Sequence, residues 1–183
     1  MAILFLIGPR GSGKTAASAL LERDYGCRTR DTDTLIREAS GKTVAEIVAD
    51  GGWSAFREYE KYALREAVDN MRDTAGGPAI IATGGGMVLD PDNRDHMRAH
   101  GVVVYLAASA DVLAARLEPF VADPSRPSLT DLSQEREIAT VLAERDALYR
   151  ATAHHCVDAT LPLEQVARIL HHMVCNGSAG GAS

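Results

Sequence analysis

The chain has 183 residues, 46% of them hydrophobic and 24% charged, and a formal net charge of −6. The length suits one domain, and the composition is that of a folded globular protein rather than a disordered chain. The acidic balance argues against a nucleic-acid or anionic-membrane binder, since both need a basic face, so an anionic ligand must be held by a local cluster of Arg and Lys.

Apolar runs alternate with helical patterns along the chain. Residues 2–7 are a continuous hydrophobic run, as expected of a strand covered on both faces. It is too short to span a membrane and has no basic segment before it, so it reads as a buried first strand and not as a signal peptide. Residues 14–23 suit a helix packed on that strand, and 27–31 a short second strand. Residues 35–49 read as helical with a break at Ser40-Gly41, and 53–71 as a long helix. Residues 78–83 form a buried strand closed by Gly84-Gly85-Gly86, and 101–107 a fourth. Ser109 is placed as the N-cap of a helix through Leu117. Residues 119–132 hold three prolines and read as a loop, 133–152 as a helix, 156–158 as an edge strand, and a last helix starts near Pro162. The Gly/Ser/Ala-rich end has nothing to bury and is expected to fray. Strand–helix alternation predicts a parallel sheet with helices on both faces, and ligands then bind at the carboxyl ends of the strands.

Cys27, Cys156 and Cys175 show no metal-ligand spacing and read as reduced cytosolic thiols.

Gly8-Pro-Arg-Gly-Ser-Gly13-Lys14-Thr15 matches G-x-x-x-x-G-K-[ST] between a strand and a helix. The glycines turn backbone N–H groups toward phosphate oxygens, and the following helix adds its positive end. Gly11, Ser12, Gly13, Lys14, Thr15 and Ala16 are therefore candidate ATP contacts, with Lys14 reaching the β- and γ-phosphates and the Thr15 hydroxyl a ligand for Mg²⁺. No Asn-Lys-x-Asp guanine signature is present, and the strand before Thr83 does not end in a Walker-B Asp. Both features favour a small-molecule kinase.

Asp31-Thr32-Asp33 follows the second strand. Read as extended, it is expected to set one carboxylate toward the metal and the other toward an acceptor hydroxyl; alternatively the acids only favour a helix N-terminus. Arg57 and Glu60 share a helix face and can pair, which alone would also describe a solvated surface ion pair. The Gly84-Gly85-Gly86 turn can offer bare N–H groups to an anion, or serve only as a tight connection. Arg126 lies in the Pro-rich loop, where a closing lid would bring positive charge to a transferring phosphoryl group. Arg116 precedes that loop and Arg145 follows it.

Taken in order, GPRGSGKT, DTD, FREYE, TGGG, SRP and ERDALYR resemble the shikimate kinases over about residues 2–172. The resemblance implies an α/β, P-loop NTPase fold of the nucleoside-monophosphate-kinase type: a five-stranded parallel sheet of order 2-3-1-4-5, helices on both faces and a mobile lid. It implies a single domain over 1–175, with a lid at about 118–132, an acceptor-binding helical region at about 33–62, and a disordered tail at 176–183. The implied reaction moves the ATP γ-phosphate to the 3-hydroxyl of shikimate, in aromatic amino-acid biosynthesis. Asp33 would face that hydroxyl as base or orienter. Arg57, the Gly85 N–H within the Gly84–Gly86 turn, and Arg145 would hold the carboxylate. Thr15 would bind Mg²⁺ directly and Asp31 through water. Lys14 and Arg126 would stabilise charge on the phosphoryl group, and Arg116 would lie beside the adenine. The expected partners are ATP and shikimate, with no nucleic acid or membrane, for a monomeric cytoplasmic enzyme. One departure is that many relatives carry an Arg after the last strand, where this chain reads Asp158-Ala-Thr-Leu-Pro162. The alternatives are another small-acceptor kinase, for gluconate or a nucleotide, and a nucleotide-dependent switch without an acceptor.

Overall fold

All five residues of Ile3–Ile7, strand β1, are buried. Successive side chains of a strand point to opposite faces. Accordingly Ile3, Phe5 and Ile7 join one hydrophobic cluster, and Leu4 and Leu6 another. This is a strand with helices on both sides, as its unbroken apolar run requires. The computed structural model describes residues 3–73, 76–118 and 134–176.

The other strands are β2 (Arg28–Asp31), β3 (Ala79–Ala82), β4 (Gly101–Ala107) and β5 (His155–Asp158). All pair in parallel, in the order β2-β3-β1-β4-β5. The helices are α1 (Lys14–Tyr25), α2 (Thr32–Ser40), α3 (Val44–Asp73), α4 (Pro91–His100), α5 (Ala110–Leu117), α6 (Gln134–Thr152) and α7 (Leu163–Asn176). Leu64, Ala67, Val68 and Met71 of α3, Met97 of α4 and Tyr149 of α6 pack on the Phe5 face. Ala17, Leu20 and Leu21 of α1 and Val166, Leu170 and Val174 of α7 pack on the Leu6 face. A third cluster is confined to α2 and α3: Ile36, Ile47, Phe56 and Ala63. Among the described residues, no helix is long and apolar enough to cross a membrane.

The register positions the site. Leu6 and Asp31 both sit opposite Ala82 of β3. The chain segments leaving β1, β2 and β3 therefore emerge side by side at the carboxyl edge of the sheet.

Several elements differ from the sequence expectation. Helix α4 is absent from it. Only Asn93 and Met97 of α4 are buried, so its apolar stripe is too thin to read, although Asp90 caps it and Pro91 opens it. Helix α3 begins at Val44 and passes through a kink at Gly52 instead of starting afresh at Trp53. Its start is fixed by a reciprocal cap: Glu46 accepts from the Thr43 N–H at 2.7 Å, and the Glu46 N–H donates to the Thr43 hydroxyl at 3.2 Å. Ser109 is the N-cap of α5, but its hydroxyl makes no capping bond. Pro162 precedes α7, and its carbonyl accepts from the Val166 N–H at 3.0 Å. Asn176, placed in the tail, is the last residue of α7. The Pro-rich segment 119–133, with Arg126, and the tail 177–183 lie outside the described residues.

Candidate active site

The segment after β1 wraps as its glycines allow. Gly8, Gly11 and Gly13 all take positive φ, and Gly13 forms the N-cap of α1. Lys14, the first residue of α1, folds back over this loop. Its ammonium donates to the Gly8 carbonyl at 2.7 Å, to the Pro9 carbonyl at 2.8 Å and to the Ser12 hydroxyl at 3.3 Å. A positive charge thus stands in the middle of a ring of backbone, at the positive end of a helix, which is the arrangement a phosphate chain needs. Ser12 itself is buried, whereas Thr15 and Ala16 are exposed beyond the loop.

Asp31 ends β2 and caps α2. Its Oδ1 accepts from the Asp33 N–H at 2.9 Å and the Thr34 N–H at 3.3 Å. Asp31-Thr32-Asp33 is therefore a helix start and not the extended segment expected, and an extended segment would have put the two carboxylates on the same face. The two carboxylates diverge because the helix turn separates them. Asp31 Oδ2 accepts from the Thr15 hydroxyl at 3.0 Å, on the phosphate-loop side. Asp33 Oδ1 lies 2.7 Å from where a Gly84 Cβ would stand, on the other side. Thr32, between them, is buried and accepts from the Gly84 N–H at 2.9 Å.

Thr15 and Asp31 offer adjacent hard oxygen donors. Mg²⁺ is bound in kinases by one or two such protein groups plus phosphates and water, so the pair fits that ion. Among the described residues, no group of three or more His, Cys, Asp or Glu could hold a metal without that help.

The turn after β3 is anchored by Thr83, whose N–H and hydroxyl both donate to the Leu6 carbonyl at 3.1 Å. Gly84 and Gly86 are glycines because side chains crowd them. A methyl group at Gly84 would meet Asp33, and one at Gly86 would occupy the space of the Arg57 guanidinium. Gly85 touches the phosphate loop: a Cβ there would stand 3.5 Å from the Gly8 carbonyl oxygen and 3.6 Å from the Arg10 nitrogen. Arg145, from α6, donates to the Gly85 carbonyl at 3.4 Å.

Arg57 is ion-paired with Glu60, one turn along α3. The Arg57 side chain is 22% exposed and that of Glu60 1%. The pair is thus not the solvated surface pair that its spacing alone allows. Burial pushes the Glu60 carboxyl above the usual carboxylate range, with Arg57 and Arg145 pulling it back and Asp33 adding to the rise. The Arg57 guanidinium also lies 5.7 Å from the ring centres of Trp53 and Phe56. Asp33, Arg57, Glu60, Arg145 and the Gly84–Gly86 turn form one cluster against the phosphate loop.

On the far side of that loop lies a cavity of about 260 Å³, lined by Gly11, Gly13, Ala16, Arg116, Leu161 and Val166 among others. Arg116 crosses it, donating to the Gly11 carbonyl at 3.3 Å and the Ala159 carbonyl at 2.6 Å. Its walls are mostly apolar, suited to a flat base. The 158–162 turn, which lacks the expected Arg, is closed by Asp158, which accepts from the Thr160 N–H at 2.8 Å.

Two residues at the site escaped the sequence reading as functional: Glu60, and Tyr149, whose hydroxyl donates to the Gly85 carbonyl at 2.6 Å. Tyr149 stands four residues after Arg145, one helical turn, and that spacing was the available signal. Arg126 is the one candidate that lies outside the described residues.

Comparison with known proteins bears on the family of the chain. The shikimate kinase family model matches residues 10–174. A shikimate kinase of Oleidesulfovibrio alaskensis is 49% identical over 167 residues, which is 90% of this chain and 92% of that protein. Shikimate kinase 2 of Yersinia enterocolitica is 44% identical over 174 residues, covering 94% and 95% of the two chains. Among solved structures, shikimate kinase from Acinetobacter baumannii in complex with shikimate superposes with a TM-score of 0.82 at 29% identity, covering 96% of this chain and 94% of that one. The phosphate loop, the Asp33–Arg57–Arg145 cluster and these relatives together place this chain in the shikimate kinase family.

Proposed function

We propose that the chain phosphorylates the 3-hydroxyl of shikimate with ATP, giving shikimate 3-phosphate and ADP. The observation that carries this reading is the seam at Gly85, where the acceptor cluster touches the phosphate loop. Two ligands placed on either side of that seam meet end to end, which is the geometry of an in-line transfer.

The chemistry follows from charge. ATP carries about four negative charges and shikimate one. The protein is net acidic, so Lys14, Arg57 and Arg145 must do locally what the whole molecule does not. Arg57 and Arg145 suit the ring carboxylate because a planar guanidinium binds two oxygens at once. Glu60 holds Arg57 in place from a buried position. Asp33 faces the acceptor hydroxyl, which it orients or deprotonates as the oxygen attacks. Lys14, and Arg126 from the segment 119–133, stabilise charge on the transferring phosphoryl group. Mg²⁺ would be held by Thr15, with Asp31 behind it, and would neutralise phosphate charge and align the β- and γ-phosphates. The adenine is assigned to the cavity crossed by Arg116. Residues 1–175 act as one unit, with acceptor binding at about 33–62, in a monomeric cytoplasmic enzyme.

The test is ADP release with ATP, Mg²⁺ and, separately, shikimate, gluconate or AMP. Turnover that depends on shikimate alone is expected. Slow ADP release that no acceptor changes would replace this reading with a nucleotide switch, and turnover with gluconate or AMP would name a different acceptor.

A further inference from the structure

Tyr149 is 1% exposed, and its hydroxyl donates to the Gly85 carbonyl at 2.6 Å. Its ring stacks on Tyr105 of β4 at a centroid distance of 5.0 Å. Tyr105 is itself fixed: it donates to Asp146 at 2.9 Å, Asp146 accepts from Arg150 at 2.6 Å, and the Arg150 guanidinium lies 5.8 Å from the centre of the Tyr105 ring. Tyr149 is therefore held at its ring face and at its hydroxyl. Burial raises its phenol to about 12, so it remains a hydrogen-bond donor at any ordinary pH.

A peptide unit between two glycines turns over easily, because neither residue restricts its torsions. In a trans peptide the N–H points opposite to the C=O. Drawing the Gly85 carbonyl toward α6 therefore aims the Gly86 N–H away from α6. Two donors reach that carbonyl, and they are unequal: Tyr149 at 2.6 Å and Arg145 at 3.4 Å. Arg145 is also the residue assigned to the acceptor carboxylate, and once it turns to that ligand its hold on the peptide lapses. Tyr149 is not assigned to the acceptor, and its hydroxyl, which also faces the Arg145 guanidinium, stays on the peptide.

We infer that Tyr149 is a positioning residue of the acceptor site, fixing the Gly85–Gly86 peptide so that Arg145 is free to engage the acceptor carboxylate. This rests on the reading of the cluster as the acceptor site.

The experiment is Tyr149→Phe in the full chain, which keeps the ring, the stack and the volume and removes only the hydroxyl. The expected result is a rise of about fivefold or more in the shikimate KM with the ATP KM changed less than about twofold, on the scale of one lost hydrogen bond. Hydrogen–deuterium exchange across residues 84–89, read without ligands, should also speed up. An unchanged shikimate KM overturns the proposal. So does a parallel rise of both KM values, which would mean a general loosening of the fold. If the wild-type chain shows no shikimate-dependent turnover, the functional reading fails, and the exchange measurement alone then decides whether Tyr149 holds the turn.

Discussion

The Arg57 guanidinium is held by Glu60, whose side chain is 1% exposed. A buried carboxylate that aims a cation is costly to disturb from either end. Glu60→Gln keeps the shape and one acceptor oxygen but removes the charge. The shikimate KM should rise about tenfold, as expected for weakening one charge-assisted bond, while the ATP KM stays near its starting value. Steady-state kinetics against each substrate would check this, and an unchanged shikimate KM would mean that Arg57 is aimed by its contacts with Trp53 and Phe56 instead.

Asp33 stands beside Gly84 and not in the phosphate loop, so its removal should act on turnover. Asp33→Asn should lower kcat by at least ~10²-fold, the scale of a positioned acid–base group. Near-normal kcat would remove Asp33 from the transfer step.

Two glycines separate binding from folding. A methyl group at Gly86 would collide with the movable end of Arg57, whereas one at Gly101 would collide with the Ile3 carbonyl inside the sheet. Gly86→Ala should therefore raise the shikimate KM and lower the urea midpoint less than Gly101→Ala does, its stability cost being confined to disturbing the Arg57–Glu60 pair. Gly101→Ala should cost at least about 2 kcal/mol of stability, since packed backbone cannot give way. Reversal of this pattern in denaturation and kinetic measurements would refute the assignment of both positions.

The buried phenol predicts an alkaline limit. The Tyr149 phenol is raised by burial from the ordinary value of 10.0 to about 12 when folded. Between these values the unfolded chain loses a proton that the folded chain keeps, so stability falls as pH rises through that window and is intact below it. The fall amounts to about 2–3 kcal/mol by pH 12. Urea unfolding from pH 8 to 11.5 should show a shallower decline for Tyr149→Phe than for the wild type; parallel declines would count against the shift.

The Thr15 hydroxyl is 3.0 Å from Asp31 and is the candidate Mg²⁺ ligand. A chelator should abolish turnover. Thr15→Ala should raise the Mg²⁺ concentration for half-maximal rate by about tenfold, one lost contact. A magnesium titration identical to that of the wild type would move the metal elsewhere.

The phosphate loop and the sheet were legible because their signals are local. Buried parallel strands are unbroken apolar runs such as Ile3–Ile7, and the loop has a fixed spacing from Gly8 to Thr15. Arg57, Asp33 and Arg145 were legible as a set, through family resemblance, and not singly. Helix α4 was not legible, because a helix with two buried residues leaves no periodic stripe. Nor was the burial of Glu60: an Arg–Glu pair three apart looks the same on a wet face as on a dry one until α2 and the Gly84–Gly86 turn are packed over it. The direction of the Asp31-Thr32-Asp33 segment turned on whether β2 ran on or stopped, and the cap formed by Asp31 decided it.

The contact between Gly85 and the phosphate loop bears on redesign. At 3.5 Å from the Gly8 oxygen there is room for a methyl group and little more, so a larger side chain placed there to recognise a new acceptor would push into the nucleotide cradle. Helices α2 and α3 carry a small core of their own around Ile36 and Phe56. Engineering for altered acceptor preference is better directed to that independent layer, where a repacked wall can change what is recognised and leave the triphosphate undisturbed.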